Sequence, residues 1–230
     1  MMQTSDRGLY ALALHEGVVP APYIDAVGVW TFGIGHAETS GLDPNPRNMP
    51  RGMPADQDAA IRESFRLFRG KIGVYEAAVE RAVTVALSQH EFDALVSFQF
   101  NTGAIGRASL TRRLNEGDRR GAADGLRAWN KGRVNGKLTV LDGLTRRREE
   151  ERAMFLNATY PSAPIPIYDV TPSNRVGRAI GRMTQPEAMA LLRGAPREVM
   201  PAAPEPTAAV PREDVNGWLA RLIRFVKGDA

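Results

Sequence analysis

The chain of 230 residues contains no cysteine, which excludes disulfides and thiolate metal sites. Its three histidines, His15, His36 and His90, are scattered, so a zinc site is not expected, nor any other cofactor. No window approaches the apolar run that a membrane span requires. The opening MMQTSDRGLYALALHEG lacks the charged-then-apolar pattern of a signal peptide. These absences imply a soluble chain made in the cytoplasm, which needs another agent to let it out if it works elsewhere. A 43% hydrophobic and 24% charged composition is ordinary for a globular protein. The length suits one sizeable domain with an appendage, or two small domains.

Charge is unevenly spread. The formal total is +4, yet residues 107–148 hold twelve Lys+Arg against four Asp+Glu, a balance of +8. Such a patch suits an anionic polymer, either nucleic acid or a cell wall with its carboxylates and phosphates. No nucleic-acid-binding motif accompanies it, so a nucleic-acid partner is not expected.

The first helix is expected over Asp6 to Glu16, capped by Ser5 or Asp6 and stopped by Gly17. Tyr23 to His36 alternates in part and is broken by Gly28, Gly33 and Gly35, which predicts a small hairpin or three-strand meander. A loop rich in Pro, Asn and Gly follows over 41–54. From there to about Asn157 the pattern is helical. One helix starts near Pro54 and stops at Gly70, and a second carries Tyr75, Val79, Ala82 and Val83. A third opens with the capping box Ser88 to Glu91. Further helices are expected near 109–115, 119–129 and 142–156. A small sheet followed by a helical bundle implies an α+β protein whose two lobes flank a cleft.

After Tyr160 the prolines cluster, at 161, 164, 166 and 172 and again from 196 to 211. The expected organisation is a domain over 1–158, a Pro-rich linker over 159–212, and a basic amphipathic helix over 213–228. Within the linker, Thr184 to Glu187 reads as a capping box opening a short helix to Arg193. The last segment places Val215, Trp218, Leu219, Leu222, Ile223 and Val226 on one stripe. Such a helix can lie on an anionic membrane or outer-membrane lipid, or dock on protein.

Glu16 carries the sharpest chemical signal. Leu9, Leu12, Ala13 and Glu16 share a helical face, so the carboxylate projects from the apolar side of the last turn. Burial and the negative end of a helix both disfavour a charged carboxyl, as a general acid requires. A lone Glu near a helix end is more often a solvated surface residue. The neighbours alter that balance. Asp25 follows nine residues on and Thr31 six beyond it. Glycoside hydrolysis usually needs two carboxyls, and a Thr hydroxyl can hold an attacking water. Gly33 and Gly35 would let a sugar approach the strand backbone, or simply form a turn.

The stretch LHEG…PYIDAVGVWTFGIGH (14–36) resembles the Glu-x8-Asp-x5-Thr triad of the phage lysozymes of glycoside hydrolase family 24, without a gap. LSQHEFDALVSFQFNTG (87–103) resembles that family's helix ending in Phe-Asn-x-Gly. SLTRRLNEGD (109–118), Trp129 and GLTRRREEERAMF (143–155) resemble its C-terminal helices. The resemblance covers about 9–157. It implies a lysozyme-like fold and cleavage of the β-1,4 bond between N-acetylmuramic acid and N-acetylglucosamine in peptidoglycan. Glu16 would be the general acid, with Asp25 and Thr31 positioning the water or the intermediate. The protein would then be a lysis enzyme that is made in the host cytoplasm, reaches the wall once the membrane is permeabilised, and works as a monomer. A virion-borne hydrolase, or a catalytically inactive glycan-binding module, is the alternative.

The chain departs from the family in a longer, Pro-rich loop over 37–53 and in AIGRASL (104–110), which lacks an aromatic. Candidate substrate contacts are Gly33, Gly35, His36, Asn101 and Trp129. Taken alone, His36 is favoured as a strand-end histidine bonded to a polar neighbour, and Asn101 as a group bonding backbone at its helix end. Trp129 and Trp30 can stack on sugar or pack in the core. Of Arg146, Arg147 and Arg148, one is expected to pair with an acid inside the lobe and the others to face outward.

Overall fold

The computed structural model describes residues 1–25, 28–41, 43–134 and 136–194. The expected helix over 213–228 and the second proline cluster lie outside the described residues. Seven helices and seven strands are seen among those described: α1 (Asp6–Glu16), β1 (Val19–Ile24), β2 (Trp30–Gly33), β3 (His36–Ala37), α2 (Gln57–Ala82), α3 (Gln89–Thr102), α4 (Ser109–Asn115), α5 (Arg119–Gly125), β4 (Lys131–Val134), β5 (Lys137–Val140), α6 (Asp142–Asn157), β6 (Ile165–Val170), β7 (Val176–Met183) and α7 (Gln185–Gly194). The fold class is α+β. The described chain divides into a helical unit, Met1–Leu9 with Ile72–Pro161, and a sheet-bearing unit, Tyr10–Lys71 with 162–194. The dividing points fall inside α1 and α2.

α1, which enters the sheet-bearing unit at Tyr10, has its expected bounds. The Ser5 carbonyl accepts from the Leu9 amide at 2.8 Å, and its hydroxyl accepts from Gly8 at 3.0 Å. Gly17 ends the helix at φ 69°, its amide returning to the Ala13 carbonyl, a conformation that costs glycine nothing. The three strands β1-β2-β3 form an antiparallel meander. β1 begins at Val19 rather than Tyr23, because Pro20 and Pro22 mask a strand that needs few ladder donors. Tyr10, Leu12, Val19, Tyr23, Phe32, Ile34, Phe65 and Phe68 fill this unit's core.

The helix expected to stop at Gly70 does not. α2 runs unbroken for 26 residues, capped at Asp56, whose carboxylate accepts from the Ala59 amide at 2.8 Å. Phe65, Phe68, Ile72 and Val79 are all fully buried along it. Burying one such side chain is worth about 1.5–3 kcal/mol, more than the roughly 1 kcal/mol that a mid-helix glycine costs.

In the helical unit α3 and α6 pack on each other around Phe92, Leu95, Phe98, Leu144, Met154 and Phe155. The Ser88 capping box is present, its amide donating to the Glu91 carboxylate at 2.8 Å. The helical reading of 54–157 fails at 131–140, where β4 and β5 pair as a hairpin with Lys131 opposite Val140. Each strand is four residues long and β5 is exposed throughout, so little burial patterning marks it. The Asn135-Gly136 dipeptide, with Gly136 at φ 79°, is the signal for it.

Where composition implied a linker over 159–212, residues 165–183 form the antiparallel hairpin β6–β7. It lies beside β1. The Val18 amide donates to the Pro166 carbonyl at 3.0 Å, and the Tyr168 amide donates to Val18 at 2.9 Å. Pro166 sits on the margin of the hairpin that makes only these few bonds, where a missing N–H is tolerated. The short helix α7 opens as expected, with Thr184 donating amide and hydroxyl to Glu187.

Candidate active site

Six of the eight sequence-derived site residues fall in the sheet-bearing unit. Glu16 is the last residue of α1 and only 2% exposed, so it is not the solvated surface carboxylate that a helix-end Glu usually is. Asp25 closes the turn between β1 and β2. Its amide donates to the Val29 carbonyl at 2.9 Å, and its Oδ1 accepts from the Val29 amide at 3.0 Å. Thr31, on β2, is buried opposite Tyr23 and Ala37. Its hydroxyl donates to the Val29 carbonyl at 3.4 Å. Asp25 and Thr31 thus both converge on Val29.

Gly33 and Gly35 flank the β2–β3 turn at φ 61° and 63°. On the side where a Cβ would project, Gly33 is packed against α2. A Cβ there would meet the Ser64 side chain of α2 at 2.6–2.7 Å. His36 is 1% exposed, and its Nε2–H donates to the Pro44 carbonyl at 3.0 Å. Burial first of all, opposed by that bond, lowers its pKa from the ordinary value, so it stands neutral near pH 7.

The residue that sequence reasoning missed is Lys71. It is 5% exposed on α2. Its Nζ donates to the Ile34 carbonyl at 3.0 Å and the Gly35 carbonyl at 2.5 Å, tying α2 to the β2–β3 turn. Burial pulls its pKa down to about 7, while the charge on Glu16 pushes the other way. An available signal was its place four residues after Leu67 and three after Phe68, both buried, which puts it on the inward stripe.

The long loop after β3 is tied to the same sheet. The Glu38 carboxylate accepts from the Trp30 amide at 3.1 Å and pairs with Arg47. Hydrogen bonding to that guanidinium holds the Glu38 carboxyl below its ordinary value. Arg51 lies 3.7 Å over the Trp30 ring while donating to the Pro46 and Met49 carbonyls. Trp30 therefore presents one face to a cation, which favours neither simple core packing nor an open stacking platform.

Asn101 and Trp129 belong to the helical unit. The Asn101 amide oxygen accepts from Arg148 at 2.9 Å. Trp129 is half-buried, edge-on to Phe98 at 5.3 Å between ring centres. Arg147 and Arg148 are both buried and share Glu151, itself fully buried. Two arginines, not one, turn inward. The surface arginines Arg112, Arg113, Arg119 and Arg127 pair with acids, so the basic excess of 107–148 is partly neutralised where it arises.

No group of three or more His, Asp or Glu that could hold a metal occurs among the described residues. Glu16, Asp25, Thr31 and Lys71 bring carboxyl, hydroxyl and amine groups to the sheet-bearing unit.

This chain is similar to known proteins over about two thirds of its length. The phage lysozyme family profile matches residues 13–151. An endolysin of Acyrthosiphon pisum secondary endosymbiont phage 1 is 35% identical over 159 residues, spanning 68% of this chain and all of that protein. Among solved structures, the endolysin from Escherichia coli O157:H7 phage FAHEc1 superposes with a TM-score of 0.59 at 33% identity, over 70% of this chain and 97% of its own. The muramidase domain of SpmX from Asticaccaulis excentricus gives 0.57 at 30% identity, over 68% and 99%.

Proposed function

Because the chain belongs to the phage lysozyme family and is a muramidase, a glycoside hydrolase acting on peptidoglycan, we propose that Glu16 is its general acid. In this reading Glu16 delivers its proton to the glycosidic oxygen leaving from the β-1,4 bond between N-acetylmuramic acid and N-acetylglucosamine. The observation that carries it is the burial of Glu16 at the end of α1, with the Lys71 ammonium as a charge acting on it. Once the proton has left, a carboxylate remains in a site largely closed to water. A positive charge fixed by two backbone carbonyls then stabilises it more strongly than it would in solution.

Asp25 supplies the second carboxylate, which stabilises the oxocarbenium-like transition state or orients water. Its Oδ1 is steadied by the Val29 amide. Thr31 acts beside it, since a hydroxyl that donates to the Val29 carbonyl keeps lone pairs with which to accept from water. Gly33, Gly35 and His36 shape the β2–β3 turn and are proposed to meet the glycan through its backbone. Asn101 and Trp129, in the helical unit, are proposed glycan contacts.

The enzyme acts on the cell wall as a monomer, with no nucleic-acid partner. It is made in the host cytoplasm and gains access when the membrane is permeabilised. No helix among the described residues is long and apolar enough to cross a membrane. Residues 213–228 are proposed to engage anionic membrane or outer-membrane lipid.

The test is digestion of isolated peptidoglycan, followed by turbidity, reducing ends and fragment masses. The parent should clear the wall and leave hydrated N-acetylmuramic acid ends. Glu16→Gln should be slower by about 10²–10⁴-fold, the usual contribution of general acid catalysis. Anhydro ends, or clearing by Glu16→Gln at the parent rate, would overturn the assignment.

A further inference from the structure

The β6–β7 hairpin lies beyond residues 13–151, the part matched by the family profile, yet it touches both ends of β1. At the first end, the Val18 amide and carbonyl bond to Pro166 and Tyr168, making a parallel bridge with Ile167. The Tyr168 ring lies against Gly17, the residue after Glu16. A Cβ at Gly17 would come within 2.8 Å of Tyr168 Cε2. The segment leading into the hairpin also holds α1, because the Tyr10 hydroxyl donates to the Ala163 carbonyl at 2.7 Å.

At the second end, the turn of the hairpin reaches Ile24 and Asp25. The Ile24 amide donates to the Asn174 carbonyl at 2.7 Å. Arg175 Nη1 donates to the Ile24 carbonyl at 3.2 Å and to the Asp25 carbonyl at 2.5 Å. The turn is itself well built. The Thr171 amide donates to the Arg175 carbonyl at 2.8 Å, and the Thr171 hydroxyl accepts from the Arg175 amide at 3.1 Å. Asn174 takes the left-handed conformation at φ 56°, which asparagine tolerates better than most residues.

We propose that this hairpin braces the catalytic sheet, and that Arg175 is a positioning residue that holds the Asp25 backbone in place for cleavage. The inference rests on the reading of Asp25 as the second carboxylate. Arg175 is exposed, so its two bonds add little to global stability. Placement is held to a far tighter standard, since a shift of about 1 Å at a reacting group can cost about 10²-fold in rate. One guanidinium nitrogen, Nη1, donates to two consecutive carbonyls and so ties both to the hairpin turn.

The full-length chain, Arg175→Ala, Arg175→Lys and Asp25→Asn would be compared on solubilised glycan strands, each with a thermal midpoint. Arg175→Ala should lower kcat about tenfold with KM within about twofold, an effect of misplacement rather than lost binding. Its thermal midpoint should fall by no more than about 3 °C. Arg175→Lys, which keeps a donor and the charge, should recover kcat to within about threefold of the parent. Unchanged kcat in Arg175→Ala, a lysine variant no better than alanine, or a rise in KM alone would each overturn the proposal. Full kcat in Asp25→Asn would instead remove the reading of Asp25 on which the proposal stands.

Discussion

Both units bury charge, and they do so with different chemistry. In the helical unit Arg147, Arg148 and Glu151 are at most 1% exposed. Arg147 and Arg148 each reach Glu151 Oε1 at 3.0 Å, and the Ser97 hydroxyl adds a bond at 2.7 Å. In the sheet-bearing unit the buried carboxyl and amine are those of Glu16 and Lys71. A guanidinium cannot shed its proton inside a protein, so its carboxylate partner is compulsory for folding. An ammonium already pulled down to about 7 can shed its proton when its partner is lost. The first arrangement is therefore a structural clamp. The second stores charge in a form that chemistry can exchange.

The contrast is broken most directly at Glu151. Glu151→Gln should destabilise the fold by about 3–5 kcal/mol, because it leaves two buried guanidinium groups without their anion. Urea unfolding measures this, and the turnover of the molecules that remain folded should be close to the parent's. A small loss of stability would mean that the cluster is not a clamp.

Next comes Gly33→Ala. Its φ of 61° and the Ser64 side chain behind it should together cost roughly 2–4 kcal/mol. Ser64 is held in place by donating to the Ala60 carbonyl at 2.7 Å, so little relief is available. Equal stability of the variant in urea would show that the β2–β3 turn is looser than its packing implies.

The smallest effect sharpens the comparison. Between about pH 7 and the ordinary lysine value of 10.5, folded Lys71 has lost a proton that the unfolded chain keeps. The unfolded state binds more protons there, so stability from this group rises with pH through that window. The advantage of the parent over Lys71→Met should therefore grow between about pH 6 and about pH 9. A difference that stays constant would mean that the Lys71 ammonium titrates normally.

Much of this was legible in the chain itself, and the exceptions have physical causes. Ser5, Gly17 and the Ser88 box mark helix ends through local hydrogen bonds, which depend only on near neighbours. Gly70 misled because its cost is local, whereas the burial of Phe68 and Ile72 that outweighs it depends on the tertiary fold. The β6–β7 hairpin was hidden by prolines placed where ladder donors are few. Glu16, Asp25 and Thr31 were singled out by their resemblance to the phage-lysozyme triad. Lys71 was not, since a lysine on a polar-apolar helix ordinarily reaches water. The carbonyls of Ile34 and Gly35, far away in sequence, help to make its burial tolerable.

The central claim is that the sheet-bearing unit's buried charge serves catalysis and the helical unit's serves the fold. It is tested most directly by measuring glycan cleavage and thermal midpoint together for Glu16→Gln and Glu151→Gln. The account predicts that Glu16→Gln loses cleavage by about 10²–10⁴-fold with its midpoint within about 3 °C of the parent. Glu151→Gln should fall by roughly 10 °C while each folded molecule still cleaves. Parallel losses of midpoint and cleavage in both variants, or cleavage preserved in Glu16→Gln, would contradict it.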